Sequence, residues 1–330
     1  MAILATQRVL TLDHWKYARH LQAGDYVFNK EGKPVKVTLV QEYLAPACYE
    51  VTFNDHLTAV GDEHMAFMTE NTKYRLRLLQ YKQKFKFRRP LQRLSVKDLL
   101  ELPFKNKYNR LVFSVPTSKP LEFPHKDLPV PPFVFGFWFF NTKSNGKMVF
   151  PAGMQEYITE KFRDFGYKVN IERKIVGGKH YFSTTPSIES HLIPVIPTQI
   201  PQNYLLSSPE QRIELLRGIM AAKSRQYSAK NNTFRVSSSH YGTILQIQGL
   251  VESLASRTKV ENRPQLSNYT ILFKSRHQLL PDQVIKPVKV HHDRRYITNI
   301  TPLPAQSCIH IETDGEDNTI LAGEGFIPCL

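Results

Sequence analysis

The chain has 330 residues, 41% of them hydrophobic, enough to bury a sizeable core in two or three domains and to exclude a largely disordered protein. With 44 Lys and Arg against 29 Asp and Glu it carries +15, the footprint expected for a partner rich in phosphates. Three cysteines, Cys48, Cys308 and Cys329, make neither a disulfide framework nor a zinc site, and the longest apolar run, "VPPFVFGFWFF" from Val130 to Phe140, is too short to cross the ~30 Å of a bilayer core. A soluble, reduced, cytoplasmic protein without signal peptide or membrane partner is expected.

Residues 1 to about 70 read as short strands joined by turns: "RVLTLD", "GDYVFNKEGKPVKVTLVQEYL" broken at Glu31-Gly32, "CYEVTF" and "LTAV". The stretch "YRLRLLQYKQKFKFRRP", Tyr74 to Pro90, holds no acid. As a strand it would set Lys82, Lys84, Lys86 and Arg88 on one face and Phe85 and Phe87 on the other. Together with Arg75, Arg77 and Arg89 these cations are candidate DNA contacts; the alternative is a solvated basic face over a small apolar cluster. Prolines between Pro116 and Pro132 suggest a linker.

Beyond it a helix–strand–helix–strand pattern occurs twice, which points to an internal duplication. The first copy is a helix from Pro132, a strand near "GKMVF", a helix "MQEYITEKFRDFG" and strands "YKVNIERKI" and "KHYFSTT". The second is a helix from Pro209, a strand "NTFRVSSS", a helix "YGTILQIQGLVESLASR" and a strand "NYTILFK". The last forty or so residues return to β character. The expected fold is therefore mixed: an all-β domain from residues 1–125 and 286–330, split by an α+β domain at 126–285 whose two αβαβ units span about 130–195 and 205–285.

These stretches carry a resemblance. "VLTLDHWKYARHLQAGDYVFNKEGKPVKV", "CYEVTF" with "DEHMAFM", and "SCIHIETDGEDNTILAGEGFIP" resemble the split Hint fold of inteins, and "PPFVFGFWFFN" and "IPQNYLLSSPEQRIELLRGIMAAKS" resemble the two signature helices of a LAGLIDADG homing endonuclease inserted in it. The likeness covers nearly the whole chain in the expected order.

It implies that two helices pack side by side at Gly136 and Gly218, each tip presenting an acid that holds magnesium against the scissile phosphates. Asn141 and Lys223 stand at those tips instead, flanked by Phe140, Thr142 and Ser224, so the resemblance implies that the ancestral magnesium site is lost and that no cofactor is needed. For splicing it places Ala2 in the nucleophile position, His64 at the histidine that polarises the scissile peptide, and Cys329 and Leu330 where Thr and His would precede a terminal Asn. A methyl group cannot attack a carbonyl, so His64 is expected to be a structural relic bonded within the β fold. Met1 directly before Ala2 fits a free-standing gene product.

The expected function is a degenerate intein and homing-endonuclease relative that binds duplex DNA without cleaving or splicing. Its strand-borne contacts would come from Lys143, Lys147, Lys168 and Lys174 in the first unit and from Lys223, Arg225, Lys230, Arg235, Lys274 and Arg276 in the second. Two alternatives remain: a phage accessory or structural protein whose basic surface meets a phage or host protein partner, and an engineered splicing-deficient intein that still nicks DNA. "VHHDRRY", which holds His291 and His292, reads as a polar edge strand or loop, because neighbouring histidines on a strand point to opposite faces and chelate poorly.

Overall fold

A computed structural model describes residues 2–72, 91–141, 147–151, 153–176, 179–191, 199–223, 227–263, 268–283 and 293–330. The basic stretch with Arg75, Arg77, Lys82, Lys84, Lys86, Arg88 and Arg89, and also Lys143 and Arg225, lie outside the described residues, as do His291 and His292. The chain divides into one unit of residues 1–122 and 289–330 and a second of residues 123–288.

The first unit is β-rich. Among the described residues its strands are β1 (Ala2–Leu4), β2 (Arg8–Leu10), β3 (Trp15–Tyr17), β4 (Tyr26–Phe28), β5 (Pro34–Ala45), β6 (Cys48–Phe53), β7 (Thr58–Asp62), β8 (Ala66–Asn71), β9 (Gln92–Ser95) and β10 (Phe113–Pro116), with a 3-10 turn at Ala18–His20 and a short helix, α1 (Val96–Leu100). Apart from β5, each is only a few residues long because Gly, Pro, Asn and Asp recur between the apolar runs, as at Asn29–Gly32, where Gly32 has φ +80°.

Four later strands, β18 (Arg294–Leu303), β19 (Gln306–Thr313), β20 (Ile320–Ala322) and β21 (Ile327–Cys329), complete this unit. Among the described residues the strands form a sheet in the order β4-β5-β19-β1-β7-β6-β18-β10-β8-β9 and a smaller one in the order β21-β20-β2-β3. β1 therefore lies between a late strand and an early one. Ile3, Val9, Val37, Val51, Phe53, Phe67, Ile297, Ile311 and Ile327 fill the core with the alternation expected of half-buried strands.

The return strand corrects the reading of "VHHDRRY". Arg294, Arg295 and Tyr296 open β18, an interior strand between β6 and β10, rather than an edge. Burial of a cation there is compensated: Arg295 Nε lies 2.9 Å from Asp55 Oδ2, both side chains almost fully buried.

The second unit repeats a helix–sheet plan. Its first half holds α2 (Pro132–Asn141), β11 (Met148–Val149), α3 (Gln155–Asp164), β12 (Lys168–Val176) and β13 (Lys179–Thr185), with sheet order β11-β13-β12. The second half holds α4 (Gln202–Leu205), α5 (Pro209–Ala222), β14 (Tyr227–Ser228), β15 (Thr233–Ser238), α6 (Tyr241–Glu252), β16 (Thr258–Arg263) and β17 (Asn268–Phe273), with order β14-β15-β17-β16. Each half ends in an antiparallel hairpin pair, β12–β13 and β16–β17, so β16 is a strand in a stretch to which the sequence reading assigned no element.

The proline-rich segment does not behave as a loose linker. Lys119 and Glu122 donate backbone N–H bonds to Lys30 and Gly32 carbonyls, and Leu121 and Phe123 are buried. Further on, Lys126 N–H donates to Gln211 Oε1 and Tyr204 Oη donates to the Val130 carbonyl. Proline lowers the entropy of an extended chain, and here that chain is docked along its length.

Candidate functional site: the paired helix tips and the sheet faces

α5 starts sharply because Ser208 caps it, Gln211 closes the capping box and Pro209 occupies the first turn. Its apolar side, Leu215, Leu216, Ile219 and Met220, is buried as the spacing predicts. α2 has no polar face to speak of: Phe133 through Trp138 are all buried.

The two helices meet at their glycines. A Cβ added at Gly136 would lie 2.4 Å from the Leu215 carbonyl oxygen, and one added at Gly218 would lie 2.0 Å from that of Phe133. Backbone thus touches backbone at the crossing, which no residue with a side chain allows. Residues later in one helix face residues later in the other, so the pair runs parallel and its C-terminal tips come together, with Lys223 Nζ 5.4 Å from the centre of the Phe140 ring.

At the first tip, Asn141 is committed to backbone. Its Nδ2 donates to the Val149 carbonyl at 2.7 Å and its Oδ1 accepts the Val149 N–H at 2.8 Å, clipping the end of α2 to β11. An amide matches that donor–acceptor pair; a carboxylate would face the carbonyl oxygen with a second acceptor. At the second tip, Lys223 caps α5, its N–H donating to the Ile219 and Met220 carbonyls at 3.1 Å each. Its ammonium is favoured twice, by the ring face of Phe140 and by the partial negative charge of a helix C-terminus. Among the described residues no three His, Cys, Asp or Glu side chains group so as to hold a metal ion.

Beside the tips lie the solvent faces of the two sheets. Residues opposite one another on paired strands share a face. Arg235, Leu272 and Lys259 thus form a row across β15, β17 and β16, while Phe234, Val236, Ile271 and Phe273 turn into the core. Lys259 lies 3.2 Å from Glu261. In the first half the corresponding face carries Lys168 opposite Thr185, Asn170 opposite Ser183 and Glu172 opposite Tyr181.

Among the cations expected to meet DNA, Lys168, Lys230, Arg235 and Arg276 are exposed, and Lys274 is half-buried. Lys147 is not an open cation: its Nζ lies 2.7 Å from Glu172, which partly neutralises it. The side chain of Lys174, in β12, is not among those described.

Two features were missed by the sequence reading. Arg212 is wholly buried, its Nε donating to the Ser207 carbonyl at 2.9 Å and its Nη1 to Ser253 O at 3.0 Å and to Ser253 Oγ, and its guanidinium lies 5.2 Å from the Phe123 ring centre; burial pulls its pKa down. Glu252 accepts the Thr258 N–H and hydroxyl at 2.9 and 2.7 Å and so fixes the turn from α6 into β16. Polar residues at such positions look solvent-exposed in a sequence, because nothing in the local pattern says that the chain will turn their partners toward them.

In the β unit, Ala2 is buried on β1, opposite His310 of β19. Cys329 is also buried, and Leu330 exchanges two backbone hydrogen bonds with Ala66, at 2.9 and 3.1 Å. His64 departs from expectation. Its side chain is 74% exposed and lies 3.6 Å from Glu63, rather than bonded inside the fold. The reason is Asp62, whose buried Oδ1 accepts the N–H groups of His64 and Met65, bending the chain so that Met65 enters the core and His64 leaves it.

No protein-family profile matches the chain. The replicative DNA helicase DnaB of Mycobacterium intracellulare is 23% identical over 343 residues, covering 95% of this chain and 55% of the helicase, so the chain spans about half the length of the curated relative it matches. Among solved structures, the MchDnaB-1 intein is 26% identical over 21% of this chain and 53% of its own, with a TM-score of 0.20. The gp41-1 intein is 16% identical over 34% and 74%, with a TM-score of 0.23. The endonuclease I-DmoI, in complex with DNA and Mn, is 10% identical over 44% and 89%, with a TM-score of 0.32. The chain is thus similar both to inteins and to a homing endonuclease.

Proposed function

We propose that the chain is a DNA-binding protein of the intein and homing-endonuclease type that neither splices nor cuts DNA. The observation that carries this reading is the pair of helix tips. Metal-assisted phosphodiester cleavage needs carboxylates that hold a divalent ion against the scissile phosphate. The parallel helices bring together a backbone-bound amide, Asn141, and an ammonium, Lys223. A cation held over an aromatic ring repels a dication, whereas it attracts a phosphate. His64, turned to solvent, supports the absence of splicing, since polarising a peptide bond requires the ring to face that bond.

Binding follows from the sheet faces. Exposed Lys168, Lys230, Arg235 and Arg276 approach phosphates, Lys223 meets one at the tips, and Asn170, Ser183 and Tyr181 offer hydrogen bonds to base edges. Neutralising six phosphates would give a log–log salt slope of roughly −5.

The test is an electrophoretic shift of labelled duplex DNA at two salt concentrations, with and without magnesium. Retention that falls steeply with salt, is unchanged by magnesium and leaves the strands intact is expected. Nicking in the magnesium lanes would overturn the loss of cleavage. No shift at low salt would overturn DNA binding and favour an acidic protein partner.

A further inference from the structure

Two of the three cysteines, 260 residues apart in sequence, meet in space. Cys48 Sγ and Cys308 Sγ lie 3.6 Å apart, and either thiol can donate to the other. Both residues are fully buried, in a small pocket closed by Ala45 with Tyr43 and Leu303 packed against it. Cys329, the third, is apart from the pair and donates its thiol to the Ile327 carbonyl.

The surroundings of the pair are defined on each side. Cys48 opens β6 and stands opposite Asp62 of β7, and Cys308 on β19 stands opposite Tyr43 of β5. Tyr43 Oη donates to Asp62 Oδ2 at 2.6 Å, closing a ring of four polar residues at the end of the sheet. Although buried, the pair is shallow. Pro46, one turn from Cys48, and Pro304 and Ala305, in the turn before Cys308, are exposed. Both cysteines thus sit close to exposed turns, the elements whose local opening costs least.

We propose that Cys48 and Cys308 are a disulfide-forming pair, a reversible covalent staple between β6 and β19. An S–S bond is about 2.05 Å long, so closure asks the sulfurs to approach by about 1.5 Å, within reach of two strand ends that adjoin turns. The oxidant is a small-molecule disulfide. One cysteine, deprotonated to water, attacks a sulfur of that disulfide and expels one thiolate, which takes up a proton. The second cysteine then attacks the mixed disulfide and expels the other. Two protein thiols are oxidised and one disulfide is reduced to two thiols. Burial, the neighbouring thiol and the Asp62 carboxylate raise the Cys308 pKa, so the folded pair is slow to react and waits on opening of the turns.

The experiment uses the full chain, freed of reductant and incubated with oxidised glutathione, followed by intact mass and non-reducing peptide mapping. The expected product is lighter by two hydrogens, carries a Cys48–Cys308 crosslinked peptide, unfolds at a higher temperature than the dithiol form, and reverts with dithiothreitol. Cys329→Ala should still form it, and Cys48→Ala and Cys308→Ala should not. Because the mapping is done on the unsubstituted chain, misfolding of either variant leaves the result readable. A chain that stays a dithiol, that holds glutathione at Cys48 or Cys308 without closing, or that crosslinks through Cys329 would overturn the proposal.

Discussion

In the first half of the inserted unit, α2, α3 and their sheet close on aromatic rings: Phe150 and Phe182 stack at 4.0 Å, and Phe162 meets Phe137 and Phe182 edge-on at 5.6 and 5.8 Å. In the second half, α6 lies on its sheet through Ile244, Ile247, Val251, Val236 and Ile271, and the buried cation Arg212 ties the start of α5 to the end of α6. The same ground plan is therefore held by rings that join helices to sheet in one half, whereas in the other the rings of Tyr227, Phe234 and Phe273 stack within the sheet, aliphatic side chains join α6 to it, and a buried polar network is added. The tips follow suit, with a neutral amide clip on the first and a capping cation on the second. A duplicated scaffold constrains helix pairing and strand order, and leaves side-chain chemistry free to diverge wherever volume and hydrogen bonding are satisfied.

Several substitutions break or sharpen this contrast, in descending order of effect. Phe182→Ala removes the ring shared by three aromatic contacts, with Phe137, Phe150 and Phe162, and should cost about 4 kcal/mol in urea unfolding, more than Ile271→Val between α6 and its sheet. Arg212→Met keeps the volume but strands the Ser207 and Ser253 acceptors, for about 3 kcal/mol; a near-neutral result would show that the second half does not depend on its buried cation.

Gly218→Ala forces a methyl onto the Phe133 carbonyl and should cost about 2 kcal/mol by thermal unfolding, with Gly136→Ala the milder of the two because its nearest oxygen is farther. Asn141→Asp sets a carboxylate against the Val149 carbonyl and should cost about 1 kcal/mol without creating magnesium-dependent nicking. Restored nicking would mean that the first tip alone limits cleavage.

The smallest effect is a pH dependence at His277. Burial first, then Arg217 and Arg276, lower its pKa from the ordinary 6.5. Its buried Nε2 makes no hydrogen bond among the described residues. With the folded pKa depressed, the unfolded chain binds the proton more readily, so the contribution is present above pH 6.5 and is lost as pH falls below it. His277→Gln should flatten that part of a stability–pH curve, and an unchanged curve would remove His277 as its source.

Much of the architecture was legible in the sequence because it rests on periodicity. Short β-rich runs announced "CYEVTF" and "YKVNIERKI", and the helix from Pro209 was placed where α5 begins. Gly136 and Gly218 were marked as packing positions by the resemblance of their helices to a known pair. What was not legible depended on partners distant in sequence. Nothing near Asn141 says that its amide will meet Val149, and nothing near Arg212 says that Ser253 will accept from it. His64 was read inward because the resemblance put it at a polarising position with no nucleophile left to serve, yet Asp62 turns it out. Lys147 looked like a free cation until Glu172 was found beside it.

By itself the sequence determined the alternation of strand and helix, the helix–strand plan of the inserted unit that recurs twice and the strongly basic balance, because these are properties of spacing and composition along the chain. The tertiary structure decided which polar groups are satisfied, which cations remain open and that Cys48 and Cys308 adjoin. Hydrogen bonds and ion pairs act over about 3 Å in space and carry no record of separation along the chain.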